Sequence, residues 1–96
     1  MSPAEVLRKA ADVIRERGHC KGHYERHGSV CIFGALNVIE TGNALEPPPD
    51  ITESERWLRK ALGGDSVTLF NDAPERTAEE VIAALEKAAA LAEASK

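Results

Sequence analysis

The apolar positions of the chain fall into periodic groups separated by polar punctuation. Val6, Leu7, Ala10, Val13 and Ile14 recur at the three- and four-residue spacing of one helix face. Ser2-Pro3-Ala4-Glu5 precedes them as a capping box with proline at the first helical position. Gly18 follows as a stop in the left-handed conformation. From about Cys31, the residues Ile32, Leu36 and Ile39 resume helical spacing, and Phe33 and Val38 widen the apolar face. This predicts a central second helix ending at Gly42. Thr52-Glu53-Ser54-Glu55 makes a second capping box ahead of Trp57, Leu58, Ala61 and Leu62, closed by Gly63-Gly64. Thr77-Ala78-Glu79-Glu80 makes a third, ahead of Val81, Ile82, Leu85, Ala88, Ala89 and Ala92.

The intervening segments are of other kinds. His19 to Val30 is too polar and too short for a helix. Its glycines, Gly22 and Gly28, and the His27-Gly28 pair predict a short β-hairpin or an ordered loop. Ser66 to Phe70 alternates enough to predict a short strand, pairing with part of the histidine segment. Pro47-Pro48-Pro49 is read as a stiff connection that reverses the chain rather than as a ligand for an aromatic groove. Trp57, on the apolar stripe of its helix, is read as core. The fold class expected is mainly α: one compact four-helix domain over residues 1–96, with a short β-hairpin or strand pair inserted after helix 1.

Composition fits a soluble globular chain of 96 residues, with 43% hydrophobic and 29% charged residues. A chain of this size buries only about 60–65% of its unfolded surface and has little interior left for a deep substrate pocket. No apolar stretch approaches the roughly 20 residues needed to span a bilayer. Glu5 in the first turn and the lack of an apolar run after it argue against a secretory leader. A cytoplasmic location with reduced thiols is therefore expected, a Cys20–Cys31 disulfide being the alternative. The net charge is −4 and unevenly spread. Residues 1–30 carry six Lys or Arg against four Asp or Glu, and the remainder carries six against twelve. The basic residues Arg8, Lys9, Arg15, Arg17, Lys21 and Arg26 are interleaved with acids, so nucleic acid is disfavoured as a partner.

The chemistry-bearing residues concentrate in one place. All three histidines and both cysteines lie between His19 and Cys31. Cys20-x2-His23-x3-His27-x3-Cys31 offers four ligand types that zinc accepts, although the later spacings are tight for a tetrahedral site and His19 competes for a place. A surface turn with water-facing histidines and a buried Cys31 accounts for the same residues, and no cofactor is expected. Cys31 stands at or near a helix start, where the dipole lowers a thiol pKa. His23 or His27 could act as its base, oriented by Asn71 or Asp72. Packing of Cys31 beside Ile32 and Phe33 competes with that role. Asn71-Asp72 is expected to serve its local turn, with a sharper alternative in which the pair faces Tyr24 or His23 across a shallow cleft.

Taken together, Cys20-Lys21-Gly22, Cys31-Ile32-Phe33-Gly34-Ala35 and Asn71-Asp72-Ala73-Pro74-Glu75-Arg76-Thr77 resemble motifs of a small uncharacterised family of actinobacteria and their bacteriophages, a domain of unknown function. The final stretch from Thr77 to Leu85 fits the same family. The resemblance spans nearly the whole chain and implies common ancestry and a phage or actinobacterial source. It brings no activity, and the three histidines are outside its pattern. Cys31, Gly34, Asn71 and Asp72 match, so a shared site would lie near them.

The function expected is a non-enzymatic protein-interaction or regulatory module, binding a host protein if phage-encoded or pairing with itself. Its candidate binding residues are His23, Tyr24, Cys31, Asn71 and Asp72, with no catalytic residue assigned. The alternatives are a small zinc-binding domain using Cys20, His23, His27 and Cys31, and a cysteine-dependent enzyme using Cys31.

Overall fold

The computed structural model describes residues 1–95. In chain order these form α1 (Pro3–Arg17), β1 (Glu25–Arg26), β2 (Ser29–Val30), α2 (Ile32–Thr41), α3 (Glu53–Ala61), α4 (Val67–Asp72) and α5 (Ala78–Ala94). The described residues thus hold five helices, not four, with the two-stranded antiparallel sheet after α1 as expected.

The caps explain the helix starts. Ser2 and Glu5 bond each other's backbone amides at 3.2 Å, and Thr77 and Glu80 do the same at 3.2 and 2.9 Å. Each box satisfies two otherwise orphaned N–H groups. The expected box at Thr52 is half made. Its hydroxyl accepts from Glu55 N at 3.2 Å, but the Glu55 carboxylate turns forward to Arg59, 2.7 Å away and one helical turn on. Gly18 ends α1 with φ +91 and ψ 167, an extended glycine conformation and not the expected left-handed one.

The expected strand at Ser66–Phe70 is instead the start of α4. Ser66 caps it by accepting from Leu69 N at 3.2 Å, and Val67 and Asn71, four residues apart, are its two buried positions. Over so few residues, alternation and helical spacing are hard to tell apart. Contact with the histidine segment is real but runs through side chains rather than a strand ladder.

In the hairpin, Glu25 pairs with Val30 and Arg26 with Ser29. His27 and Gly28 both take positive φ, +52 and +88, as a type I′ connection requires. The backbone before the hairpin adds to it, through Cys20 N to Val30 O and Val30 N to Gly18 O, both 3.0 Å. Arg17 fastens the hairpin to α1 through an ion pair with Glu25 and a 2.8 Å bond to Gly28 O.

The core lies where α1 packs on α5, with α2 and α3 against them. Ala4, Ala10 and Ala11 of α1 and the alanine stripe Ala84, Ala88, Ala89 and Ala92 of α5 are buried in the same core cluster, and side chains this small let packed helices approach closely. Leu7, Ile14, Ile32, Leu36, Leu58 and Leu85 are the largest buried apolar side chains, each contributing about 1.5–3 kcal/mol. Trp57, expected in the core, packs on its edge half-buried, with Lys60 Nζ 5.3 Å from its ring centre. Among the described residues no helix is long and apolar enough to cross a membrane.

Candidate functional site

Asn71, at the end of α4, is 2% exposed and makes four hydrogen bonds. Its Oδ1 accepts from Ile32 N at 3.1 Å and meets His19 Nε2 at 2.8 Å. Its Nδ2 donates to Cys20 O at 3.1 Å and to Asp72 Oδ1 at 2.8 Å. Because the Ile32 amide can only donate, the oxygen must face it, and His19 must then carry its proton on Nε2. Asp72 Oδ1 also accepts from Gly22 N at 3.1 Å. Lys21 Nζ reaches Ala73 O at 2.7 Å and Pro74 O at 3.0 Å, capping the C-terminal end of α4. The local turn role expected of Asn71-Asp72 is therefore corrected. The pair ends a helix and binds a segment about 50 residues away, which its residue types alone do not reveal.

A close approach sets the other side of the site. A Cβ placed on Gly34 would stand 2.0 Å from the carbonyl oxygen of Tyr24. The segment entering the hairpin lies directly against the first turn of α2, with Cys31 N donating to Tyr24 O at 3.2 Å.

Between these two supports opens a cleft of about 430 Å³. All five candidate binding residues, His23, Tyr24, Cys31, Asn71 and Asp72, line it. Gly22, Glu25, Phe33, Leu45 and Thr68 complete the walls. Of these, Leu45 had a signal in the sequence: a large apolar residue in a connecting segment, two places before three prolines. A second cleft of about 250 Å³ shares Tyr24 and Phe33 with the first and continues along Leu36, Glu40, Pro47–Pro49 and Ile51.

The cysteines and histidines are dispersed around this cleft. Cys31 caps α2, its Sγ accepting from Gly34 N at 3.3 Å. Cys31 is buried, as its packing beside Ile32 and Phe33 leads one to expect, and not activated as the alternative of a helix-start nucleophile would need. That burial pushes the Cys31 thiol up, outweighing the amides of Gly34 and Phe33 that favour the thiolate. Burial also raises Cys20, whose thiol donates to the carbonyls of His23 and Ser29 at 3.3 and 3.5 Å. Both cysteines are free thiols, and no imidazole among the described residues bonds to either. His19 is committed to Asn71, while His23 and His27 are exposed. Cys20, His23, His27 and Cys31 are not gathered as a ligand set: no three His, Cys, Asp or Glu among the described residues converge as metal ligands would. Asp72 is held below the usual carboxylate range, first by the Asn71 carboxamide and also by the Gly22 amide.

No curated protein and no solved structure matches the chain. The model of a family described as a family of unknown function, DUF6197, matches residues 1–91, nearly the whole chain. The chain belongs to that family.

Proposed function

We propose that this domain is a non-enzymatic interaction module that binds an extended segment of another protein along the groove formed by the two clefts. The observation that carries this is their adjacency: Tyr24 and Phe33 line both clefts. Adjacent cavities suit successive side chains on one face of an extended chain, which repeat about every 7 Å. Leu45 and Ile51, 58% and 51% exposed, line the larger and the smaller cleft, and each would gain burial from an occupant. A cysteine-dependent reaction draws no support from Cys31, whose lone pair serves a helix cap and whose thiol is held protonated by burial.

The test is a display library of random peptides of about twelve residues panned against the immobilised chain. Enriched peptides should bind, and binding should be lost in Thr68→Arg, which projects into the larger cleft from an exposed position. Failure to enrich any peptide would overturn the proposal, as would peptides that bind Thr68→Arg as well as the unaltered chain. A dimer in solution that Leu45→Asp dissociates would identify a second copy of the chain as the occupant, and would also overturn it.

A further inference from the structure

We infer that the larger cleft reads a lysine side chain: Tyr24, Phe33 and Leu45 take its alkyl stem, and the uncommitted carboxylate oxygen of Asp72 takes its ammonium. This rests on the groove being the binding surface. The charge of the walls points to a cation. The larger cleft carries Glu25 and Asp72, the smaller Glu40, Asp50 and Glu55, and neither is lined by any Lys or Arg. Glu25 is held by Arg17 and Glu55 by Arg59. Asp72 has no ion-pair partner among the described residues. The nearby cation Lys21 is turned to the carbonyls of Ala73 and Pro74.

The hydrogen bonds of Asp72 select among cations. Its Oδ1 is taken by Asn71 Nδ2 and Gly22 N, which fix the carboxylate in place. Its Oδ2 has no partner among the described residues. A single open oxygen denies arginine the two-oxygen fork that favours a guanidinium, and it suits the compact ammonium of lysine. The aromatic rings of Tyr24 and Phe33 on the same cleft add attraction for a cation and cover for a hydrocarbon stem. Asp72 is ionised at neutral pH, being held below the usual carboxylate range.

The experiment titrates the isotope-labelled full chain with Nα-acetyl-lysine N-methylamide and follows amide resonances at low salt. The amides of Gly22, Tyr24, Phe33 and Asp72 should shift, with a Kd on the order of millimolar for so small a probe. The norleucine analogue, which keeps the stem and lacks the charge, should bind roughly three- to tenfold more weakly, and the arginine analogue more weakly than lysine. Asp72→Asn keeps an oxygen for Gly22 and Asn71 and should weaken the lysine probe by a similar factor. Should that variant disturb the loop, Thr68→Lys provides a second reading, since its own ammonium would compete for Asp72. Norleucine binding as tightly as lysine, arginine binding more tightly, or no shift with lysine would each overturn the inference. So would unchanged binding in both variants. The peptide library is independent of this result: peptides enriched without lysine would sink the cation and leave the groove. A lysine probe that binds while the library yields nothing would sink the protein segment and leave the pocket.

Discussion

The Oδ1 of Asn71 stands 3.1 Å from the amide of Ile32, so a side chain ending α4 receives the first N–H of α2 from 39 residues away. The same carboxamide donates to Cys20 O, which makes one residue the joint between two helices and the loop that enters the hairpin. Asn71→Ala removes all of this from a buried place and leaves Ile32 N and Cys20 O without partners. The expected cost is about 2–4 kcal/mol. Asn71→Asp keeps the oxygen but turns a second one toward Cys20 O and the Asp72 carboxylate, so it should cost at least as much at neutral pH. Urea unfolding midpoints measure both, and a loss of less than about 1 kcal/mol in either would contradict this account.

Gly34 offers a test in which two effects have opposite sign. Inside a helix, alanine is favoured over glycine by about 1 kcal/mol. Here the added Cβ would meet Tyr24 O at 2.0 Å, a backbone atom that cannot swing aside as a side chain would. The clash should win, and Gly34→Ala should destabilise the chain by about 2 kcal/mol or more. It should also shift the amide resonances of Tyr24 and Glu25. A stabilised variant would mean that the hairpin does not rest on α2.

The helices were legible because their signals are local. Ser2 with Glu5, Thr77 with Glu80, and the apolar stripes between stops all act within a few residues. The hairpin was legible from His27-Gly28 for the same reason. The register of Ser66–Phe70 was not, because one and a half turns of helix leave only Val67 and Asn71 inside, too few to establish a period. The gathering of His23, Tyr24, Cys31, Asn71 and Asp72 on one cleft could be named as a candidate. The bonds that assemble it, His19 and Cys20 to Asn71 and Gly22 to Asp72, join residues some 50 positions apart and leave no spacing to read.

Two carboxylates should make stability depend on pH in opposite senses. Glu40 is raised above its ordinary 4.5, chiefly by burial, with the charge of Glu55 adding and a Thr52 hydrogen bond opposing. Its contribution is fully present below that value and lost as pH rises through its folded pKa. Glu40→Gln should therefore raise the Tm at neutral pH and leave it unchanged in acid. Asp72 is lowered from its ordinary 3.8, so its contribution is present above that value and lost as pH falls through its folded pKa. Asp72→Asn should lower the Tm at neutral pH, with the difference closing in acid. Melting curves of both variants across acid to neutral pH decide it, and parallel profiles would contradict the assignment.

The thiols separate a capping role from a chemical one. Cys31 is 8% exposed and its Sγ is spent on Gly34 N, whereas Cys20 is half-buried and binds only carbonyls. Burial raises both, so neither should react fast at neutral pH, and iodoacetamide should label Cys20 first while Cys31 stays protected until the chain unfolds. Cys31→Ser preserves an acceptor at the cap and should change stability by no more than about 1 kcal/mol. Because Cys20, His23, His27 and Cys31 do not converge, chelator treatment should leave the Tm where it was. Rapid labelling of Cys31 in the folded chain would return a nucleophile to the cleft. A Tm lowered by chelation would contradict this placement of the four residues.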